Sequence, residues 1–233
     1  MHGSKLVCFK RIPLLPMREP TSISIDVYAD IVCPWCYVGR ARLQTALDRR
    51  PDVEATIRWR PFQLQPDLPS DGKDFRTVLE QKFGSWERAQ QMFEHVETMG
   101  DAEGLPFDFD AMDVVPNTGD AHRLVLWAQE RNAGEEMAER LFKAYFTEGA
   151  DISDAAVLVD CAADVGLDGD AARSLLDGTE YADAVRDSQQ QAHRHGINGV
   201  PCYVLDDRYA VTGAQPADVM GEALDAALSA DAA

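Results

Sequence analysis

The 233-residue chain contains no apolar run approaching the roughly 20 residues that a membrane-spanning helix needs. Its first stretch, MHGSKLVCFKRIPLLPMREP, is basic and mixed. It lacks the continuous apolar core and small-residue cleavage site of a signal peptide. Residues 1–20 are therefore expected to be a disordered extension, with Met17 as an alternative start. Positive charge is scarce: 22 Lys and Arg stand against 40 Asp and Glu, a formal charge of −18. Such a surface opposes non-specific binding to nucleic acid or anionic lipid, so neither is expected as a partner. Cysteine is scarce too, with only Cys8, Cys33, Cys36, Cys161 and Cys202. They are too few and too irregularly spaced for the disulfide framework of a secreted scaffold. These absences point to the cytoplasm. In that reducing compartment a closely spaced cysteine pair is more often catalytic or metal-binding than structural.

What is present is a 45% hydrophobic chain, enough for a sizeable core, either as one domain or as one domain with a large insertion. SISIDVYADI, residues 22–31, alternates with Ile23, Ile25 and Val27 on one face and reads as a strand. Pro34 suits the first turn of a helix, where its missing N–H costs nothing, and Pro51 stops that helix. VEATIRWRPF supplies a second strand, and the short crossover makes the two strands parallel neighbours. A proline-rich loop follows over 61–72, then a helix over 74–100 with a break near Gly84, and a polar loop over 101–117. Helical patterns continue over 118–132, 135–147, 154–164, 168–176 and 179–195, with Ser153 and Asp168 as N-caps. No strand signal interrupts this block.

The strand period returns in VPCYVLDDRYAVTGA, as two short strands around the turn Asp206–Asp207. A closing helix has Pro216 in its first turn and Val219, Leu224 and Leu228 on its apolar side. The fold class is α/β: a thioredoxin-like fold over 21–66 and 196–230, with a large all-helical insertion, including the connecting helix, over 67–195.

Cys33 and Cys36 stand three positions apart between the first strand and the first helix. A zinc site would need more ligands, and only Cys202, His193 and His195 are available to complete one. An inert buried pair is the plain alternative, since cysteine is often a small core residue. The position favours redox chemistry. A cysteine opening a helix meets unpaired backbone N–H groups and the positive end of the helix dipole, and both favour a thiolate. Cys33 is then the attacking thiolate. Cys36, one turn further in, is the resolving thiol. GINGVPCYV, far downstream, makes Val200–Pro201 a candidate cis bond. In a thioredoxin-like plan Pro201 faces the cysteine pair and leaves the Val200 backbone available to pair with a bound thiol peptide.

Four stretches carry a family resemblance: DVYADIVCPWCYVG (26–39), RWRPFQL (58–64), NTGDAHRL (117–124) and GINGVPCYVLDDRYAVTGAQP (196–216). The chain resembles a DsbA-family thioredoxin-fold oxidoreductase of the FrnE-like branch, over about residues 22–230. That branch is related to the 2-hydroxychromene-2-carboxylate isomerases and the kappa-class glutathione transferases. The resemblance implies that Cys33 is the nucleophile, Cys36 the resolver and Pro201 the cis-proline, with Pro34 and Trp35 tuning the redox poise. It further implies a helical insertion folded over the active-site face as lid and substrate wall, with Asn117 and His122 near the cleft.

The isomerase and transferase relatives carry serine at the position of Cys33 and bind glutathione. Cysteine at both positions favours dithiol–disulfide chemistry. No tightly bound cofactor or metal is expected, and glutathione is admitted as a co-substrate. A thiol or disulfide substrate is expected: a protein, a peptide or a small molecule. The alternative is a glutathione-dependent isomerase or transferase acting on a small aromatic or conjugated substrate. Oligomeric state is left open between monomer and homodimer.

Other residues have competing readings. His122 assists proton transfer, or merely caps and packs. Trp35 is a docking contact for an apolar substrate or an ordinary surface aromatic. Cys202, next to Pro201, packs inward or joins the active site as a third thiol.

Overall fold

The computed structural model describes residues 21–230; the expected extension over 1–20, with Cys8, lies outside the described residues. Strand β1 (Thr21–Ala29) leads through helix α1 (Pro34–Asp48) to β2 (Val53–Pro61). β1 and β2 pair in parallel, with Ile25 opposite Ile57 and Val27 opposite Trp59. The two late strands, β5 (Cys202–Leu205) and β6 (Tyr209–Thr212), complete a four-stranded sheet of order β2-β1-β5-β6. β5 runs antiparallel to β1, with Tyr28 opposite Cys202 and Val27 opposite Tyr203. At the β5–β6 turn Asp206 and Asp207 both adopt left-handed φ, 47° and 54°. Their short polar side chains tolerate that conformation, and Asp206 Oδ1 accepts hydrogen bonds from the Ser24 N–H and hydroxyl at 2.8 and 3.1 Å.

Period-two alternation decides which side chains face which layer. Ile23, Ile25 and Val27 point into the main core beneath α1 and the closing helix α9 (Ala217–Ala230). Tyr28 points to the opposite face, into a smaller cluster with Phe62, Ala192, Ile197 and Cys202. On α9 the inward residues are Met220, Leu224 and Ala227. Val219, expected on the apolar side, is 42% exposed. The helix begins at Ala217, just after Pro216. That start turns Met220 inward and leaves Val219 on the rim.

Between the two halves of the sheet lies the insertion: α2 (Phe75–Phe83), α3 (Trp86–Ala102), α4 (Gly119–Gln129), α5 (Gly134–Phe146), α6 (Ala155–Asp164), α7 (Gly169–Asp177) and α8 (Ala182–Arg194). The single helix expected over 74–100 is two, broken at the expected place. Gly84 takes φ 86° as the C-cap of α2, and the Ser85 side chain caps α3. Asp168 caps α7 as expected, through the Ala171 N–H. The cap of α6 is Asp154 rather than Ser153. Ser153 instead gives its N–H and hydroxyl to Asp151, which delays the helix by one residue. A short ribbon, β3 (Lys73–Asp74) with β4 (Val114–Val115), interrupts the helices and was not legible as a strand signal. Two residues are too few to display a period.

An aromatic column ties the insertion to the sheet domain. Tyr37, next to Cys36, stacks on Phe142 at 5.2 Å between ring centroids. Phe107, Phe109, Phe93 and Phe75 continue the column out to α2. Each such pair adds about 0.5–1.5 kcal/mol beyond the area it buries.

Candidate active site

The cysteine pair sits where strand gives way to helix. Cys33 is the N-cap of α1, with extended backbone and no side-chain cap, and Pro34 follows at the first helical position. The Cys33 carbonyl accepts the Cys36 N–H at 2.9 Å, and the Cys33 N–H donates to Asp30 O at 3.0 Å. The Cys33 side chain thus stands at the N-terminal end of α1, where the first backbone N–H groups and the helix dipole favour negative charge. The hydrogen bond offered by Cys36 holds the Cys33 thiol below its ordinary pKa. Burial opposes this, the Cys36 and Trp35 N–H groups reinforce it, and the Asp30 carboxylate opposes it. Burial pushes the Cys36 thiol well above its ordinary value, and its hydrogen bond to Cys33 adds to the rise. Two chemically identical side chains therefore differ in acidity because Cys36 keeps its proton and donates it in a hydrogen bond to Cys33.

Across the cleft, Val200–Pro201 is a cis peptide bond. Cys33 Sγ lies 3.8 Å from the Val200 carbonyl oxygen, which accepts its thiol hydrogen. Both cysteines are free thiols. Cys33, the attacking thiolate of the sequence reading, is only 5% exposed, against 1% for Cys36. The neighbours of Cys33, Val32 and Pro34, share a cavity wall with Phe75, Leu79, Met92 and Phe93 of the insertion. Trp35 is half-buried, with its ring 5.5 Å from His95 on α3.

His122 is buried, with Nε2 3.2 Å from Asp30 Oδ1. The other Asp30 oxygen accepts the Leu64 N–H at 2.7 Å. Asp30 has no exposed surface, and sequence reasoning passed over it. The signal was there: an aspartate closes an apolar strand three residues before Cys33, and a carboxylate so placed must find partners. Asn117 fastens loops. Its amide donates to Leu68 O at 2.7 Å, and its Oδ1 accepts the Gly119 N–H at 2.9 Å and Gln63 at 3.2 Å.

Cys202 does not join the pair. It lies on the opposite face of the sheet, in the cluster with Tyr28 and Ala192, and burial raises its pKa. His193 of the zinc set considered from the sequence packs on Phe62 of that same cluster, so it too lies away from Cys33 and Cys36. The residue of β5 that does reach the site from behind is Tyr203, also missed in the sequence. It is fully buried, with its hydroxyl unpaired among the described residues.

The family model for the DSBA-like thioredoxin domain matches residues 24–225. The chain belongs to the DsbA-like thioredoxin family. Among relatives of this DsbA-like chain is the uncharacterized protein YwbO of Bacillus subtilis, 31% identical over 204 residues, covering 87% of this chain and 96% of YwbO. A solved structure, the probable DsbA oxidoreductase SCO1869 from Streptomyces coelicolor, superposes with TM-score 0.82 at 36% identity, covering 89% of this chain and 90% of that one. The cytosolic disulfide reductase DsbM from Pseudomonas aeruginosa, solved with GSH, shares the fold at TM-score 0.60 and 20% identity, covering 90% of this chain and 97% of DsbM. With the Cys33–Cys36 pair at the thioredoxin active-site position, the DsbA-like chain is a thiol–disulfide oxidoreductase.

Proposed function

We propose that Cys33 is the nucleophile and Cys36 the resolving thiol. In the reducing direction Cys33 attacks a substrate disulfide, and Cys36 then displaces the substrate from the mixed disulfide. In the oxidising direction a substrate thiolate opens the Cys33–Cys36 bond and a second substrate thiol releases the dithiol. The observation that carries this assignment is position: Cys33 is the N-cap of α1 with Sγ 3.8 Å from the Val200 carbonyl across the cleft, whereas Cys36 lies a turn inside the helix. The lowered Cys33 and raised Cys36 acidities agree with it. A thiolate stabilised at Cys33 favours the dithiol form over the disulfide. Pro201 leaves the Val200 backbone facing Cys33, ready to pair with a bound thiol compound.

Within the family we assign the chain to the FrnE-like branch, on the four motifs that carry the resemblance. We infer a cytoplasmic location, supported by the acidic composition and by likeness to a reductase described as cytosolic. Glutathione is the inferred electron partner, supported by that reductase having been solved with GSH.

The test is exchange with a disulfide substrate followed by trapping. Cys36→Ser is expected to accumulate mixed disulfides on Cys33, and Cys33→Ser to lose exchange. Wild-type exchange rates in Cys33→Ser would refute the assignment.

A further inference from the structure

Val32 and Pro34, the two chain neighbours of Cys33, line a cavity of about 60 Å³. Its other walls are almost wholly apolar, formed by Phe75, Leu79, Phe83, Met92 and Met112 among others. One water needs roughly 10–15 Å³ by this measure, so the space suits a single branched or small aryl group. Three polar side chains reach the walls: Gln65, Lys82 and Tyr145. The Tyr145 hydroxyl already donates to Val114 O at 3.2 Å. Leu64, Gln65 and Lys82 also line a wider outer groove of about 440 Å³, with Lys73 among its other walls.

The charge at this mouth is unlike the rest of the molecule. The chain has 40 acidic residues, yet none lines either the cavity or the groove. Of the three lysines among the described residues, Lys143 lies 3.9 Å from Glu148. Lys73 and Lys82 are exposed at the groove and make no ion pair among the described residues. Lys82 Nζ lies 5.6 Å from the centroid of the Phe83 ring in the cavity wall. An apolar cavity beside two ammonium groups without a carboxylate partner among the described residues is complementary to an amphiphilic anion. The slight exposure of Cys33 favours a slender ligand over a loop of a folded protein.

We propose that the substrate exchanged at Cys33 is a low-molecular-weight disulfide, or its thiol, with an apolar arm that fills the cavity and a carboxylate that meets Lys82 and Lys73. This rests on the oxidoreductase reading. In the reducing direction the Cys33 thiolate attacks R–S–S–R, a Cys33–S–S–R bond forms and RS⁻ leaves. Cys36 then gives up its proton and attacks Cys33 Sγ. The Cys33–Cys36 disulfide forms and the second RS⁻ leaves. The enzyme loses two electrons, and the ligand gains two and ends as two thiols.

The experiment measures oxidation of the reduced full chain by three disulfides: dithiobis(nitrobenzoate), with ring and carboxylate; dithiodipyridine, with ring alone; and dithiodiglycolate, with carboxylate alone. Each rate is divided by that of dithiothreitol with the same compound. Wild type is expected to favour dithiobis(nitrobenzoate) over both others. In the double variant Lys73→Gln/Lys82→Gln, the ratio of the nitrobenzoate to the pyridine rate is expected to fall about tenfold, two ion pairs of under about 1 kcal/mol each. Met92→Trp, which fills the cavity, is expected to lower the ratio of aryl to glycolate rates. If dithiodipyridine oxidises Cys33 but neither variant moves its ratio, the substrate proposal is overturned and the oxidoreductase reading stands. If none of the three compounds oxidises Cys33, both are overturned.

Discussion

Gly39 lies in the middle of α1, where alanine would ordinarily stabilise the helix by about 1 kcal/mol. Here it is expected to do the reverse. A Cβ at Gly39 would lie 2.3 Å from the Tyr203 hydroxyl oxygen, 3.1 Å from Pro201 Cγ and 3.4 Å from Ala214 Cα. Tyr203 is completely buried and cannot swing aside. Overpacking of this kind costs about 1–3 kcal/mol and exceeds the propensity gain. The decisive partner is Tyr203→Phe. It removes the one atom in severe conflict and leaves Pro201 Cγ as the nearest neighbour, at 3.1 Å. It also removes a buried hydroxyl that has no hydrogen-bond partner among the described residues, so alone it should be neutral or mildly stabilising. In that background Gly39→Ala should become neutral or stabilising by up to about 1 kcal/mol. The coupling between the two sites is then about 1–3 kcal/mol. Urea denaturation of the four reduced proteins measures it through the midpoints at constant m. Equal destabilisation by Gly39→Ala in both backgrounds would refute the claim that the tyrosine hydroxyl is what requires glycine there.

Two further outcomes follow from buried charged groups. The Asp30 carboxylate raises the pKa of both active-site thiols, so Asp30→Asn should shift the pH profile of Cys33 alkylation downward and speed alkylation severalfold at pH values below its midpoint. The sign is set by the thiolate, which loses an unfavourable neighbour; an upward shift would contradict the assignment. Because the Cys33 pKa is depressed in the folded dithiol, its stabilising contribution is complete above the ordinary thiol pKa and is lost as pH falls through the folded value. Arg123, buried in α4, donates to the carbonyls of Leu175, Gly178 and Glu180 and to Asp120, holding the α7–α8 connection. Lysine cannot reproduce that fork, so Arg123→Lys should cost about 3 kcal/mol in urea denaturation; a loss under about 0.5 kcal/mol would show the fork is dispensable.

Much of this molecule is written in short-range pattern. Alternation over Ile23, Ile25 and Val27, the proline after Cys33 and the short crossover to β2 were enough for a parallel β–α–β unit. They also put the CPWC cysteines at a helix N-terminus. Gly84 and Asp168 marked helix ends because capping chemistry is local. The ribbon β3–β4 was not legible, since two residues carry no period. Nor was the cap of α6, where Ser153 and Asp154 both qualify and Asp151 decides between them.

What only the tertiary structure decided concerns partners far apart in the chain. Alternation dictates that Cys202 and Tyr203 point to opposite faces. Which of them faces the cysteine pair depended on the pairing of Tyr28 with Cys202, and the answer was Tyr203. The contact of Asp30 with His122 spans 92 positions, and that of Cys33 with Val200 spans 167. The burial of Cys33 likewise involves residues far along the chain, Val200 among them. Periodicity and capping act over a few residues, whereas these contacts arise only once the layers have packed.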